Sequence, residues 1–170
     1  MTLQETHQCE ALVLAVDEAT RAIGEELLRI AGATQAGPID WPVLLIENPG
    51  DALRRVHHFD PGVLLVCASA KRIDDVSALI DAVRQRRPQL SQLAVAATHD
   101  ERVERAVRAA GASHYFAIDS EADRSLLRST LVVLGVMDEA PHAPHSGLSP
   151  PRRAARSPRT RARGYEGIKP

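Results

Sequence analysis

The sequence predicts an α/β fold, in which five parallel strands form one doubly wound sheet and five helices cover it, followed by a disordered tail. The main observation is that short apolar runs alternate with apolar residues at helical spacing. Turn residues or helix-stopping residues separate the units. A chain of 170 residues is long enough for one domain with its own core, and two full domains are not expected. We predict a flexible N-terminus at 1–10, an α/β domain at 11–136 and a tail at 137–170.

Each strand is predicted from a continuous apolar run, which is typical of parallel strands that are buried on both faces. The runs lie at 11–16, 43–46, 63–66, 93–97 and 114–118. Parallel neighbours need crossover connections, and the helical segments between the runs provide them.

Each helix is predicted from apolar residues that recur three or four positions apart. In chain order they are Ile23, Leu27, Ile30 and Ala31; Ala52, Leu53, Val56 and Phe59; Val76, Leu79, Ile80 and Val83; Val103, Ala106 and Val107; and Leu126, Leu127, Thr130, Leu131 and Leu134. Gly32 offers a stop for the first helix, and Pro88 prevents extension of the third. Asn48-Pro49-Gly50 is a turn signal, and 33–41 is predicted to be an exposed loop around Gly37-Pro38.

Composition excludes several classes of protein. No apolar run approaches the roughly 18 residues of a membrane span, and the first ten residues lack the pattern of a secretion signal. Neither membrane insertion nor secretion is expected. Cys9 and Cys67 lack a metal-binding or redox spacing, which favours two reduced thiols in a cytoplasmic protein.

Charge is distributed unevenly along the chain. Residues 1–138 contain 14 Lys/Arg against 20 Asp/Glu, a net charge of −6, whereas 139–170 contain 7 against 2, a net charge of +5. The tail has few large apolar residues, so we expect it to be disordered. Its arginines are candidates for binding a polyanion such as nucleic acid, with an unpartnered, solvated segment as the alternative. They are Arg152, Arg153, Arg156, Arg159, Arg161 and Arg163.

Functional groups of doubly wound sheets lie at the carboxyl ends of the strands. In this sequence those ends carry Asp17 with Glu18, Glu47, Cys67, Thr98 with His99, and Ile118 with Asp119. We expect any site to be built from this set.

The pattern of residues at these strand ends resembles that of the response-regulator receiver domain. This domain is the flavodoxin-like module of two-component signal transduction and phosphorelays that accepts a phosphoryl group from a histidine kinase. The resemblance covers about 11–134. Asp17-Glu18 is similar to the family's metal-binding acidic pair, and Thr98 is similar to its switch hydroxyl. The run Ala-Ala-Gly-Ala-Ser-His-Tyr, which ends at Tyr115, closely resembles the family's approach to the fifth strand. The resemblance implies a switch-like role for Thr98 and Tyr115.

Two positions depart from the family's pattern. The segment 61–67 resembles the stretch that ends at the phosphoacceptor aspartate, but Cys67 occupies the place of that aspartate. Ile118-Asp119 replaces the Lys-Pro after the fifth strand, so Ile118 occupies the place of the catalytic lysine. Phosphoryl transfer to a receiver needs a carboxylate nucleophile, an oxygen-ligated divalent cation and a cation that binds the product. The resemblance therefore implies a degenerate pseudo-receiver.

The chemistry of these residues favours structural roles. A buried Cys67 thiol is expected to pack as a small hydrophobe, with a redox switch as the alternative. Asp17 and Glu18 are expected to form a solvated acidic cap at a helix start, with weak Mg²⁺ binding as the alternative because a third carboxylate is missing. Thr98 is expected to be the N-cap of the fourth helix. No other metal site and no cofactor is expected.

Enzyme motifs are not found in the sequence. His57 and His58 are adjacent and would point about 100° apart on a helix, so they are not expected to hold one metal ion. No glycine pattern predicts nucleotide binding. Ser69 lacks the flanking glycines and the histidine and acid partners of a hydrolase nucleophile. We therefore do not expect an enzyme.

These observations lead to one leading hypothesis and two alternatives. The leading hypothesis is a phosphorylation-independent, receiver-like signalling protein that acts by protein–protein interaction. By resemblance, its partner binds the face formed by the fourth helix, fifth strand and fifth helix, and homodimerisation is left open. The alternatives are a nucleic-acid-associated protein that binds through its arginine-rich tail and a thiol-based redox switch at Cys67.

Overall fold

A computed structural model describes residues 9–33 and 39–138. Strands and helices alternate along the chain. They are β1 (Ala11–Ala15), α1 (Glu18–Gly32), β2 (Val43–Leu45), α2 (Pro49–Phe59), β3 (Val63–Ala68), a 3₁₀ turn (Ala70–Arg72), α3 (Ile73–Arg86), β4 (Ser91–Ala96), α4 (Glu101–Ala110), β5 (His114–Ala117) and α5 (Glu121–Val133).

The five strands form one parallel sheet in the order β2-β1-β3-β4-β5. β1 lies between β2 and β3, with Val13 paired to Val43 and Leu12 paired to Leu64. β4 pairs with the other side of β3, and β5 forms the outer edge. This strand order is that of a doubly wound, flavodoxin-like sheet, so the predicted fold class is confirmed.

Two apolar layers bury the two faces of the sheet. Side chains alternate between the faces along each strand. In β3, Leu64 and Val66 belong to the layer under α2, α3 and α4, whereas Leu65 and Cys67 belong to the layer under α1 and α5. Every residue of β3 is buried, as its continuous apolar run predicts.

Four helices are preceded by a residue whose side chain accepts a hydrogen bond from a backbone N–H of the first turn. These bonds satisfy N–H groups that lack a partner within the helix. The capping residues of α1, α2, α4 and α5 are Asp17, Asn48, Asp100 and Ser120. All lie at the carboxyl edge, by which we mean the carboxyl ends of the five strands and the loops that follow them.

Two local predictions are wrong. Asn48-Pro49-Gly50 is the start of α2, with Pro49 in the first turn, rather than a separate turn. Leu126 and Leu134 belong to the apolar stripe that predicts the fifth helix, and such a stripe is expected to face the core, but they are 57% and 37% exposed. The reason is that Leu127 and Leu131 fill the side of α5 that faces the sheet.

The segments predicted to flank the domain, 1–10 and 137–170, lie largely outside the described residues. The N–H of Cys9 donates to the Phe59 carbonyl at 3.1 Å, so the chain joins the domain before β1. Met137 is buried in the layer under α1 and α5. The predicted tail from residue 139 onward, including its six arginines, lies outside the described residues, as does the predicted flexible segment before Cys9.

Part of the predicted loop between β1 and β2 also lies outside the described residues, including Gly37-Pro38. The prediction of an exposed loop is wrong at its end, because Trp41 packs into the layer under α1 and α5, where it is only 5% exposed, and its Nε1–H donates to Glu10 at 3.5 Å. Across the two described ranges, no helix combines the length and apolar character that crossing a membrane requires.

Gly111 provides a test of the packing of α4 on α3. Its φ is +117°, which residues with a Cβ rarely adopt, and an added Cβ would overlap Cδ of Arg84. We expect Gly111→Ala to lower the free energy of unfolding by about 1–3 kcal/mol. Gly32→Ala is the control, because a Cβ there meets no atom within 4 Å. Urea unfolding followed by the fluorescence of Trp41 measures both variants, and equal effects would contradict the prediction.

Candidate functional site at the carboxyl edge

The sheet brings the predicted site residues to one edge. Leu14 pairs with Val66, and Ala96 pairs with both Ala68 and Ala117, so these four strands end close together. The side chains of interest at this edge are Asp17, Glu18, Cys67, Arg72, Thr98, Tyr115, Ile118 and Asp119.

Asp17 is the cap of α1. Its Oδ1 accepts hydrogen bonds from the N–H and the hydroxyl of Thr20, both at 2.8 Å. The Thr20 Oγ1 accepts in turn from the Asp17 N–H at 3.0 Å, which completes a capping box. The hydrogen bond from the Thr20 N–H is the main cause that lowers the pKa of Asp17, and the charges of Arg72 and Lys71 lower it further.

Glu18 lies apart from Asp17. Its side chain is 76% exposed and its Oε1 is 3.7 Å from Nη1 of Arg21, one turn along α1. Asp17 is the extended residue before α1 and its carboxylate turns to Thr20, whereas the Glu18 carboxylate lies beside Arg21 on the helix surface, so the two side chains have separate partners. The acidic pair is one helix cap and one surface ion pair.

Arg72 belongs to the site, although the sequence analysis missed it. The 3₁₀ turn after β3 places its Nη1 3.9 Å from Asp17 Oδ2. Its Nε donates to Asp75 Oδ2 at 2.6 Å. The pairing with Asp75, three residues on, could have been found in the sequence. The contact with Asp17 could not, because it depends on two loops meeting.

Cys67 lies in the packed layer under α1. Its side chain has no exposed surface, and a Cβ added to Gly24 of α1 would lie 3.3 Å from its sulfur. Burial raises the pKa of the Cys67 thiol to about 12. A thiol that stays protonated at neutral pH is a poor nucleophile. This environment is that of a packing residue and argues against a redox switch.

Ile118 extends the same layer at the end of β5. Its N–H donates to the Ala96 carbonyl at 2.9 Å, one residue beyond the strand, and its side chain is 9% exposed. The side chain joins the layer that contains Cys67 and Leu127. An aliphatic side chain here supplies no charge to the carboxyl edge, and the neighbouring Asp119 is exposed.

Tyr115 ties the loop after β4 to β5. Its hydroxyl accepts from the Asp100 N–H at 3.1 Å and donates to the Thr98 carbonyl at 3.3 Å. The ring is 7% exposed and packs edge-on against His99, with centroids 5.8 Å apart. Burial raises the pKa of Tyr115, so the hydroxyl keeps the proton that it donates. The start of α4 is held in place by these bonds.

The prediction that Thr98 caps the fourth helix is wrong. Asp100 is the cap: its Oδ1 accepts from the N–H groups of Arg102 at 2.8 Å and Val103 at 3.2 Å. α4 begins at Glu101, which is too late for a cap at Thr98. Aspartate is at least as good an N-cap as threonine. The Thr98 side chain is exposed.

The donor set does not fit Mg²⁺. In proteins Mg²⁺ is held by one or two carboxylates, and water or phosphate oxygens complete its octahedral shell. Asp17 Oδ1 is engaged by Thr20, Glu18 points into solvent, and Cys67 offers no oxygen. Within the described ranges, no three His, Cys, Asp or Glu side chains are grouped so that they could hold a metal ion.

A small cavity of about 150 Å³ opens beside Arg72. Val16, Ile46 and Leu79 form apolar parts of its wall, and Glu47 lies at its polar side. Small-molecule sites usually measure about 300–1,000 Å³. The cavity is therefore too small for a nucleotide or another large cofactor.

Comparisons with known proteins identify the fold. No family model matches the chain, and no curated protein sequence is similar to it. Solved structures are similar. A CheY-like protein, tadZ, from Pseudomonas aeruginosa matches with a TM-score of 0.56 and 18% identity, over 74% of this chain and 93% of that one. A putative pilus assembly protein, cpaE, from Burkholderia thailandensis matches with a TM-score of 0.52 and 17% identity, over 75% and 98%.

A CheY-like response regulator receiver domain protein from Methanospirillum hungatei also matches, with a TM-score of 0.50 and 15% identity, over 75% of this chain and 95% of that one. Identities this low establish the fold and nothing finer. The chain has the CheY-like receiver fold that its sequence resembles.

The environment of Cys67 predicts a thiol that reacts only when the domain opens. In a Cys9→Ser variant, where Cys67 is the only thiol, we expect a thiol reagent at neutral pH to label the folded chain orders of magnitude more slowly than the urea-unfolded chain. A Cys67→Ala variant, which keeps Cys9, is the control for reagent activity. Rapid labelling of folded Cys9→Ser would contradict the burial of Cys67.

The same thiol predicts a pH dependence of stability. The pKa of Cys67 is raised from 9.0 to about 12 on folding, so its contribution is fully present below pH 9.0 and is lost as the pH rises toward 12. The free energy of unfolding of Cys9→Ser, measured with urea, should therefore fall more steeply between pH 9 and 12 than that of the Cys9→Ser/Cys67→Ala double variant. Parallel curves for the two variants would show that Cys67 does not titrate differently in the folded and unfolded states.

Proposed function

We propose that this protein is a receiver-like regulatory protein that works without phosphorylation, by binding a partner protein, and that it is not an enzyme. The observation that supports this most is the state of Cys67. At the position where the receiver pattern has its phosphoacceptor aspartate, this chain has a buried thiol whose pKa is about 12. A protonated sulfur beneath α1 lacks both the charge and the access that a phosphoryl acceptor needs.

Two other residues support a role without phosphorylation. Ile118 places an aliphatic side chain where a cation would bind the phosphorylated product. The hydroxyl of Tyr115 is already bonded to the loop that leads into α4, so that loop is fixed by the chain itself.

We place the partner on the face formed by α4, β5 and α5. β5 is an edge strand, and three of the four large apolar side chains that are exposed in the described ranges lie on α5 or directly after it. Leu126 is 57% exposed, Val133 is 84% exposed and Leu134 is 37% exposed. Leu126 and Val133 are two helical turns apart and therefore share one side of α5. Grouped exposed apolar side chains mark protein interfaces.

We also assign the protein to the cytoplasm. Cys9 and Cys67 are both free, and unpaired thiols are typical of proteins in a reducing compartment.

Acetyl phosphate tests the loss of phosphorylation. We expect the intact mass of the native chain to stay unchanged after incubation with acetyl phosphate and Mg²⁺, because no carboxylate occupies the acceptor position. A receiver domain with an intact acceptor, treated in parallel, is the control for the reagent. An adduct of about 80 Da on a carboxylate at the carboxyl edge would show that the protein is a working receiver.

Charged substitutions on α5 test whether the partner binds the face formed by α4, β5 and α5. We expect a Leu126→Glu/Val133→Glu double variant to weaken partner binding about tenfold or more, because two apolar contacts are replaced by buried charges. Pull-down with tagged native and variant chains measures how much partner protein each chain binds, and sedimentation measures self-association. Leu45→Gln, at the opposite edge of the sheet, is the matched control for loss of an exposed leucine. If the double variant binds as well as the native chain, the partner does not use α5.

A further inference from the structure

Polar groups of the chain itself lie beside both carboxylate oxygens of Asp17. Oδ1 accepts the two hydrogen bonds from Thr20, and Oδ2 lies 3.9 Å from Nη1 of Arg72. The carboxylate is 29% exposed, so its negative charge is only partly solvated. A cation from the protein is therefore the nearest counterion of the carboxylate that resembles a receiver's metal ligand.

Arg72 is oriented so that it links two loops. Its Nε bonds to Asp75 in the first turn of α3, and its Nη1 points to Asp17 at the end of β1. One guanidinium therefore donates a hydrogen bond to Asp75 and lies within ion-pair distance of Asp17, which couples the loop after β3 electrostatically to the loop after β1. Lys71, next to it, is exposed and adds a second positive charge at this edge.

We propose that Arg72 takes the place of a divalent cation at the carboxyl edge, neutralising Asp17 and holding the loop after β3 against the loop after β1. The proposal rests on the proposed function in one respect, since it describes how this edge is held without a phosphoryl group and its metal ion. A Mg²⁺ ion bound to Asp17 would lie close to the positive charge of Arg72, which is 3.9 Å from the carboxylate, and Lys71 would add to the repulsion.

Hydrogen exchange tests the link between the loops. In Arg72→Gln, we expect the amides of 69–72 and 16–20 to exchange about two- to fivefold faster, which is the effect of losing a half-exposed ion pair. Arg72→Lys should restore part of the protection, because it keeps the charge. Arg54→Gln is the matched control: it removes an i,i+3 pair with Asp51 at 3.2 Å on α2 that joins no second loop.

MgCl₂ is the second probe. In the native chain, we expect the amides of 16–20 and 69–72 to have the same hydrogen-exchange rates and the same resonance positions in MgCl₂ as in NaCl of equal ionic strength. The proposal is overturned if MgCl₂ shifts the resonances of Asp17 or Glu18 beyond the NaCl control. It is also overturned if Arg72→Gln exchanges like the native chain, or if Arg54→Gln has the same effect on 69–72. The acetyl phosphate experiment is independent: an adduct there refutes the proposed function, whereas unchanged exchange in Arg72→Gln refutes only the role of Arg72.

Discussion

Because all five strands run in the same direction, every crossover helix begins at one edge of the sheet and ends at the other. Helix dipoles favour acidic side chains in first turns and basic side chains in last turns. The acidic residues in the first turns are Glu18, Asp51, Asp74, Asp75, Glu101, Glu104, Glu121 and Asp123. The basic residues in the last turns are Arg29, His57, His58, Arg84, Arg86 and Arg108. The carboxyl edge is therefore acidic for structural reasons, and Arg72 and Lys71 are its local counter-charges.

At the carboxyl edge, Cys67 and Ile118 are apolar side chains at positions where the receiver pattern that the sequence resembles has charged ones. A buried carboxylate needs a charge partner and hydrogen bonds to offset its desolvation, and a buried thiol or aliphatic side chain does not. Cys67 and Ile118 belong to the same apolar layer as the helices that cover them. Gly24 allows α1 to lie close above Cys67, so this part of the edge is packed like the rest of the core.

The sequence predicted the strands well because parallel strands buried on both faces leave continuous apolar runs. It predicted α5 less well, because Leu126 and Leu127 both fall within a helical stripe and only packing against the sheet decides which is buried. Thr98 was an acceptable cap by residue type, but the length of the loop after β4 decides that Asp100 is the cap. Arg72 was missed because no local pattern relates it to Asp17.

Tyr115 connects β5 to α4, two of the elements on which the proposed function depends, since it belongs to β5 and bonds to the loop that starts α4. Asp100, whose N–H donates to that hydroxyl, also caps α4 through its carboxylate. One short chain of hydrogen bonds therefore fixes the first turn of α4 relative to β5. The α4 and β5 part of the proposed partner face is then held in one arrangement by bonds within the chain, as expected of a regulator that binds its partner without a phosphoryl signal.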